Sequence, residues 1–266
     1  MIPAWSNTPH VVIGMLHAPP LPGSPGFRGD SGELRERVLA DAEALASGGV
    51  HGLMLENFGD SPFFPGRVPP WTVAHLTRLA CEVRSRTSLP LGINVLRNDA
   101  SSALAIAHAV GAEFIRVNVL CGAYVTDQGI LTGVAHDLLR ERRALGAESV
   151  RIMADVNVKH AAPIGAPRAL ADEIADTIRR GGADAVVISG TGTGRATDPE
   201  HVRHARRAAG ETPVFVGSGV TAETIAEFTE AAAGSIVGTS LKQAGSPSSP
   251  VDPFRVRALM AALARG

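Results

Sequence analysis

Between residues 10 and 240 the chain alternates short, β-branched apolar runs with longer alanine-rich stretches, and does so eight times. The apolar runs are HVVIGMLH (10–17), GLMLEN (52–57), LGINVL (91–96), FIRVNV (114–119), VRIMADVNV (150–158), AVVISG (185–190), PVFVGSG (213–219) and SIVGTS (235–240). Segments of helical spacing follow them at 33–49, 71–87, 99–111, 131–146, 168–182, 199–210, 222–232 and 253–266. Many begin after Ser, Thr or Asp and end on Gly, as capped helices do. Strands this uniformly apolar are covered on both faces. Eight strand–helix units in 266 residues predict an α/β fold, a (β/α)8 TIM barrel forming one domain over 1–266. A doubly wound open sheet is the competing architecture, but it carries a glycine-rich turn after its first strand. Here HAPPLPGSPGFRGD (17–30) follows, too rich in proline for that turn.

The fifth run has polar residues where a buried strand should have none. Asp155, Asn157 and Lys159 alternate with apolar neighbours in RIMADVNVKHA (151–161). Side chains two apart on a strand share a face, so the three point together. At the C-terminal end of a barrel strand that face is the mouth of the active site. Other strands repeat the pattern. His17 closes the first and Glu56 the second; Asn94 and Asn98 share a face around the third; Arg116 and Asn118 share one on the fourth; Ser189 ends the sixth. Any single asparagine here fits a buried hydrogen-bonded layer equally well. Burying several charges with no function costs several kcal/mol each, so the set points to a site.

A second constellation lies after the last two strands. GSGVT (217–221) and GTSLK (238–242) occupy the loops that form the phosphate site of many such barrels. Glycine lets backbone approach an anion, and N–H groups at a helix start point at it. Gly217, Ser218, Gly219, Gly238, Thr239 and Ser240 are the expected phosphate ligands, and a valine at 219 is expected to block them without unfolding the chain. SGTGTGRAT (189–197) adds the hydroxyls of Thr191 and Thr193 on a loop able to close over a phosphate or ribose.

Composition narrows the partners. A formal net charge of −1 does not call for nucleic acid or an acidic membrane surface. No apolar run approaches a membrane span, and MIPAWSNTPH lacks the basic and apolar regions of a secretory signal. The two cysteines, Cys81 and Cys121, are neither a disulfide scaffold nor a zinc site, so a reducing, cytoplasmic setting is expected. No spacing demands a metal, although Asp155, Glu56 and His17 are the set that would hold one; no cofactor is expected. Of the 25 basic residues only Lys159 and Lys242 are lysines. The tail AGSPSSP (244–250) is expected to be a mobile excursion, and the aromatic loop 57–71 a lid, a partner surface or a contact for a homo-oligomer.

Several segments carry a resemblance. GMLHAPPLPGSP, GLMLENFGDSPF, LGINVLRNDA, FIRVNVLCGAYVTDQGI, ADVNVKHA and SGTGTG together are similar to the BtpA/SgcQ family over nearly the whole chain. The resemblance implies a phosphate-binding barrel. One branch is named for photosystem I accumulation and another for a nucleosidase role, so it implies the fold more closely than the reaction.

Three functions fit these residues. The first is cleavage or formation of an N-glycosidic bond on a phosphorylated sugar or nucleotide: Asp155 or Glu56 faces the oxocarbenium-like centre, the asparagines hold hydroxyls, and His17 or His160 protonates the leaving base. The second is sugar-phosphate isomerisation or aldol chemistry, with Lys159 as a Schiff-base lysine; an ion pair of Lys159 with Asp155 or Glu56 is the favoured reading of that residue. The third is a non-catalytic assembly factor.

Overall fold

The computed structural model describes residues 2–156, 161–166, 168–190 and 197–265. All eight expected strands are present as β1 (Val11–His17), β2 (Gly52–Glu56), β3 (Leu91–Asn94), β4 (Phe114–Val117), β7 (Arg151–Val156), β9 (Ala185–Ile188), β10 (Val214–Val216) and β11 (Gly234–Val237). They pair in parallel and close in the order β1-β11-β10-β9-β7-β4-β3-β2, a TIM barrel. Outside it run α1 (Ser31–Ser47), α2 (Pro70–Arg86), α3 (Ala100–Val110), α4 (Ala135–Ala144), α5 (Leu170–Arg179), α6 (Pro199–Ala209) and α7 (Pro253–Leu263). Aspartates start four of these: Asp30, Asp99, Asp198 and Asp252 each accept a backbone N–H of the first turn, satisfying donors the helix cannot pair internally.

Alternation along the strands sorts the interior by height. Toward the strands' N-terminal ends the lumen is apolar, with Val11, Ile13, Met15, Met54, Phe114, Met153, Val187, Phe215 and Ile236 in one cluster. The chain's first turn closes the floor. Trp5 packs 5.5 Å from the Phe114 ring and 6.2 Å from Phe215, and its indole N–H donates to the His51 carbonyl. Glycines make room for these rings: a Cβ at Gly92 would lie 2.1 Å from Phe114, and one at Gly234 2.6 Å from Phe215. Toward the C-terminal ends the same inward positions become Glu56, Asn94, Arg116 and Asp155.

Three parts of the chain depart from the sequence expectation. The segment 222–232 forms only a 3-10 turn, Ile225–Phe228, whose buried Ile225 and Phe228 are three residues apart, the spacing such a turn stacks on one side. The helix expected from 131 starts at Ala135, because β6 (Gly129–Thr132) turns back on β5 (Ala123–Thr126) as a hairpin, with Gly129 at φ +100. β8 (Ala161–Pro163) joins β5, so the loops after β4 and β7 share a three-stranded sheet beside the mouth. Finally, residues 244–250 are not a loose excursion. Lys242 and Val251 form an antiparallel bridge at the base of the loop, and the fully buried Lys242 ammonium donates to Asp41 of α1 at 2.9 Å. Among the described residues no helix is long and apolar enough to cross a membrane.

Candidate active site

A cavity of about 650 Å³ opens at the C-terminal end of the barrel. It collects residues from most of the strands. His17, Glu56, Arg116, Asn118, Asp155, Gly217, Ser218, Gly219, Gly238, Thr239 and Ser240, all expected from the sequence, line it. Asn157, Lys159, His160, Thr191 and Thr193 lie outside the described residues.

Asp155 is held by the fourth strand. Arg116 grips it bidentately, Nε to Oδ1 at 2.8 Å and Nη2 to Oδ2 at 2.9 Å, and Asn118 Nδ2 donates to Oδ2 at 2.9 Å. Burial opposes the Arg116 charge, but Asp155 and, more weakly, Glu56 outweigh it and hold the guanidinium above its ordinary pKa. Arg116 is thus an ion-pair partner of Asp155 among the described residues; the pair expected of Lys159 falls on a residue outside them. Asn94 braces this floor from below, donating to the Arg116 carbonyl at 3.0 Å and more weakly to Asn118 Oδ1. Asn98 does not face the cavity: its Oδ1 accepts from Val119 N at 2.8 Å and its Nδ2 donates to the Val119 carbonyl at 3.0 Å. It fixes the backbone after β4, and the hydroxyl-binding role expected of it is corrected to a structural one. Ser189, next to the cavity wall, keeps a buried hydroxyl without a hydrogen-bond partner among the described residues; a Cβ on Gly217 would lie 2.4 Å from it.

His17 is the best oriented titratable group. Its Nδ1 lies 2.9 Å from the Pro247 carbonyl. A carbonyl only accepts, so Nδ1 carries the proton and Nε2 is the unprotonated position of the neutral ring. Phe58 stacks on the imidazole at 4.4 Å, and Nε2 faces Glu56 Oε1 at 4.0 Å. The pair is placed for proton transfer to or from a group in the cavity.

The loops after β10 and β11 form the opposite wall. Gly219 takes φ +71, which turns the chain there. The Ser218 and Ser240 hydroxyls serve structure: Ser218 Oγ accepts from Gly190 N, and Ser240 Oγ donates to the Val220 carbonyl. The amides of Gly219, Val220, Thr239 and Ser240 take no part in the hydrogen bonds among the described residues. Backbone N–H groups, more than side chains, are what this wall presents to an anion.

Sequence reasoning missed Arg97, Asp127 and Arg255, which also line the cavity. Arg97 follows the end of β3, where strand alternation no longer assigns a direction. Burial lowers its pKa, against the pull of Asp155, Asp127 and Glu56. Asp127 sits at the tip of the β5–β6 hairpin. Arg255, in the first turn of α7, approaches the Ser240 carbonyl; helical spacing alone marks it as a surface residue. Among the described residues no group of three or more His, Cys, Asp or Glu is set to hold a metal ion.

The family model described as the BtpA family matches residues 8–265. The photosystem I biogenesis protein BtpA of Synechocystis is 48% identical over 98% of this chain and 90% of that one. An uncharacterised protein of Thermococcus kodakarensis is 45% identical over 94% of this chain and 93% of its own, and a mitochondrial one of Caenorhabditis elegans is 31% identical over 94% and 91%. Among solved structures, N-(5'-phosphoribosyl)anthranilate isomerase from Pyrococcus furiosus superposes with a TM-score of 0.59 at 15% identity, covering 97% of this chain and 100% of that one. A structure described as native KDPGal superposes with the same score and identity, covering 96% and 94%. Likeness at this identity shows the fold alone.

Proposed function

Starting from the fact that the chain belongs to the BtpA family, we propose that it is an enzyme acting on a phosphorylated sugar or nucleotide. The observation that carries this reading is one cavity with two unlike walls: backbone amides at Gly219, Val220, Thr239 and Ser240 that take no part in the hydrogen bonds among the described residues, and the His17–Glu56 pair. A phosphate on the first wall, with Arg255 beside it, leaves the sugar over the Arg116–Asp155–Asn118 floor. The energy of holding the phosphate orients the reacting carbon toward His17 and Glu56.

The reaction we favour is cleavage or formation of the N-glycosidic bond. His17 passes a proton to or from the base, and Glu56 balances positive charge that develops at the sugar. Asp155, bound at both oxygens, serves to aim Arg116 and not to attack. That pairing also favours a second reading, isomerisation of a sugar phosphate, which needs an acid–base pair and no further free carboxylate. A structural role in assembly, the role in the Synechocystis relative's name, is the third.

A screen of nucleoside monophosphates and of aldose and ketose phosphates tests the proposal. Base release that falls by ~10² or more in Glu56→Gln supports glycosidic chemistry. Aldose–ketose exchange without base release moves the assignment to the isomerase. No turnover on either set leaves assembly as the function.

A further inference from the structure

The loop expected to be mobile is instead tied down at its base, and its tip touches the candidate acid–base histidine. Asp41, buried in the middle of α1, accepts from Lys242 Nζ at 2.9 Å and from Val251 N at 2.7 Å. These two residues flank the loop and are bridged to each other. Gln243 N donates to the Pro250 carbonyl and Asp252 N to the Leu241 carbonyl, both at 2.8 Å, closing the base further. Near the tip, Arg37 of α1 reaches the Ser248 carbonyl at 3.3 Å. The adjoining Pro247 carbonyl is the one that accepts from His17 Nδ1. A carboxylate on an outer helix thus anchors the base of the loop whose backbone oxygen, at Pro247, sets which ring nitrogen of His17 carries the proton.

We infer that Asp41 and Lys242 are positioning residues for His17, acting through the Pro247 carbonyl to keep its proton on Nδ1 and its Nε2 turned to Glu56 and the cavity. The inference rests on the reading of His17 as an acid–base group. It also accounts for a fully buried lysine in a chain whose only other lysine is Lys159. A bound phosphate on Thr239 and Ser240 would lie on the same stretch of chain, just before Lys242, so the anchor serves both walls.

Replacing both members of a buried ion pair by apolar residues of similar size is often neutral for folding, whereas removing one is not. The double variant Asp41→Leu/Lys242→Met therefore removes the anchor without leaving a charge unpaired in the core, and it also takes the acceptor from the Val251 amide. Arg37→Ala, at a partly exposed site, removes the contact to the Ser248 carbonyl and the weaker 3.4 Å contact of Arg37 with Asp41 while leaving the Asp41–Lys242 pair in place, and decides the matter should the double variant not fold. The readout is the 15N shift of the two His17 ring nitrogens at a pH where the ring is neutral. The wild type is expected to show one tautomer, protonated on Nδ1. Both variants are expected to show a mixture, larger in the double variant, with faster amide exchange at Val251 in the latter. Turnover on a compound the wild type accepts should fall by up to ~10² with little change in KM, the scale of a misplaced reacting group. A wild-type ring protonated on Nε2, or variants that keep the Nδ1 tautomer, would overturn the inference. Inorganic phosphate separates it from the proposed function: if it leaves the Thr239 and Ser240 amide shifts unmoved, the phosphate wall fails while the tautomer result stands.

Discussion

His10 shows how a single side chain reports its surroundings. It is buried at the start of β1, its Nδ1 donating to the Ala232 carbonyl and its Nε2 2.9 Å from Ser235 Oγ. Burial, aided by His51 and opposed by the Ala232 contact, lowers its pKa from 6.5 to about 4. The folded chain therefore resists a proton that the unfolded chain takes up. Stability linked to His10 is complete above pH 6.5 and declines as pH falls toward 4, by about 3 kcal/mol in all. Urea unfolding of the wild type and His10→Gln at pH 7 and pH 5 checks this: the wild type should lose stability between the two, and the variant should lose clearly less. At this scale the sequence was informative where alternation applies. His17, Glu56, Arg116, Asn118 and Asp155 could be assigned to the mouth because each lies at or next to a strand end of known parity. Asn98 has the same parity as Asn94, yet β3 ends at Asn94, and past that point the chain turns and the rule no longer operates.

At the scale of elements, the two glycine loops differ more than their sequences imply. Gly219 takes φ +71, a region that β-branched side chains avoid, so Gly219→Val does not test phosphate binding cleanly. It should cost about 1–3 kcal/mol of stability before any ligand is added. Gly238 has φ −123, outside the left-handed region that Gly219 occupies. A Cβ there would lie 3.1 Å from His17 Cε1, a contact the ring relieves by moving a few tenths of an ångström. Gly238→Ala should melt within a few degrees of the wild type and bind inorganic phosphate more weakly by calorimetry; unchanged affinity would remove the β11 loop from the phosphate wall. The hairpin at 123–132 and the short 3-10 turn at 225–228 were the elements least legible in the sequence. Both are brief, so neither offers the several turns or alternations that make a period visible.

At the scale of the whole molecule, the barrel is closed at one end by its own first turn and open at the other. Trp5 fills the floor against Phe114 and Phe215, and the glycines at 52, 92 and 234 are shaped around these rings. Trp5→Ala should cost about 3–5 kcal/mol, as large-to-small changes in a packed core do. Urea unfolding measures the loss. Inorganic phosphate affinity at the far end should stay the same, because the middle layer of the lumen separates the two.

The eight-fold alternation was enough to specify the barrel, because each strand and helix buries its apolar face in only one repeating way and the rhythm carries that pattern directly. Parity at the strand ends was likewise enough to gather most of the candidate site. Pairing among those residues was not accessible from the chain alone. That Asp155 goes to Arg116, that Asn98 goes to the Val119 backbone, and that Asp41 reaches across 201 positions to Lys242 are outcomes of closure. Closing the barrel sets distances between residues far apart in sequence, and in a desolvated mouth each charge goes to whichever partner that geometry brings within hydrogen-bond reach.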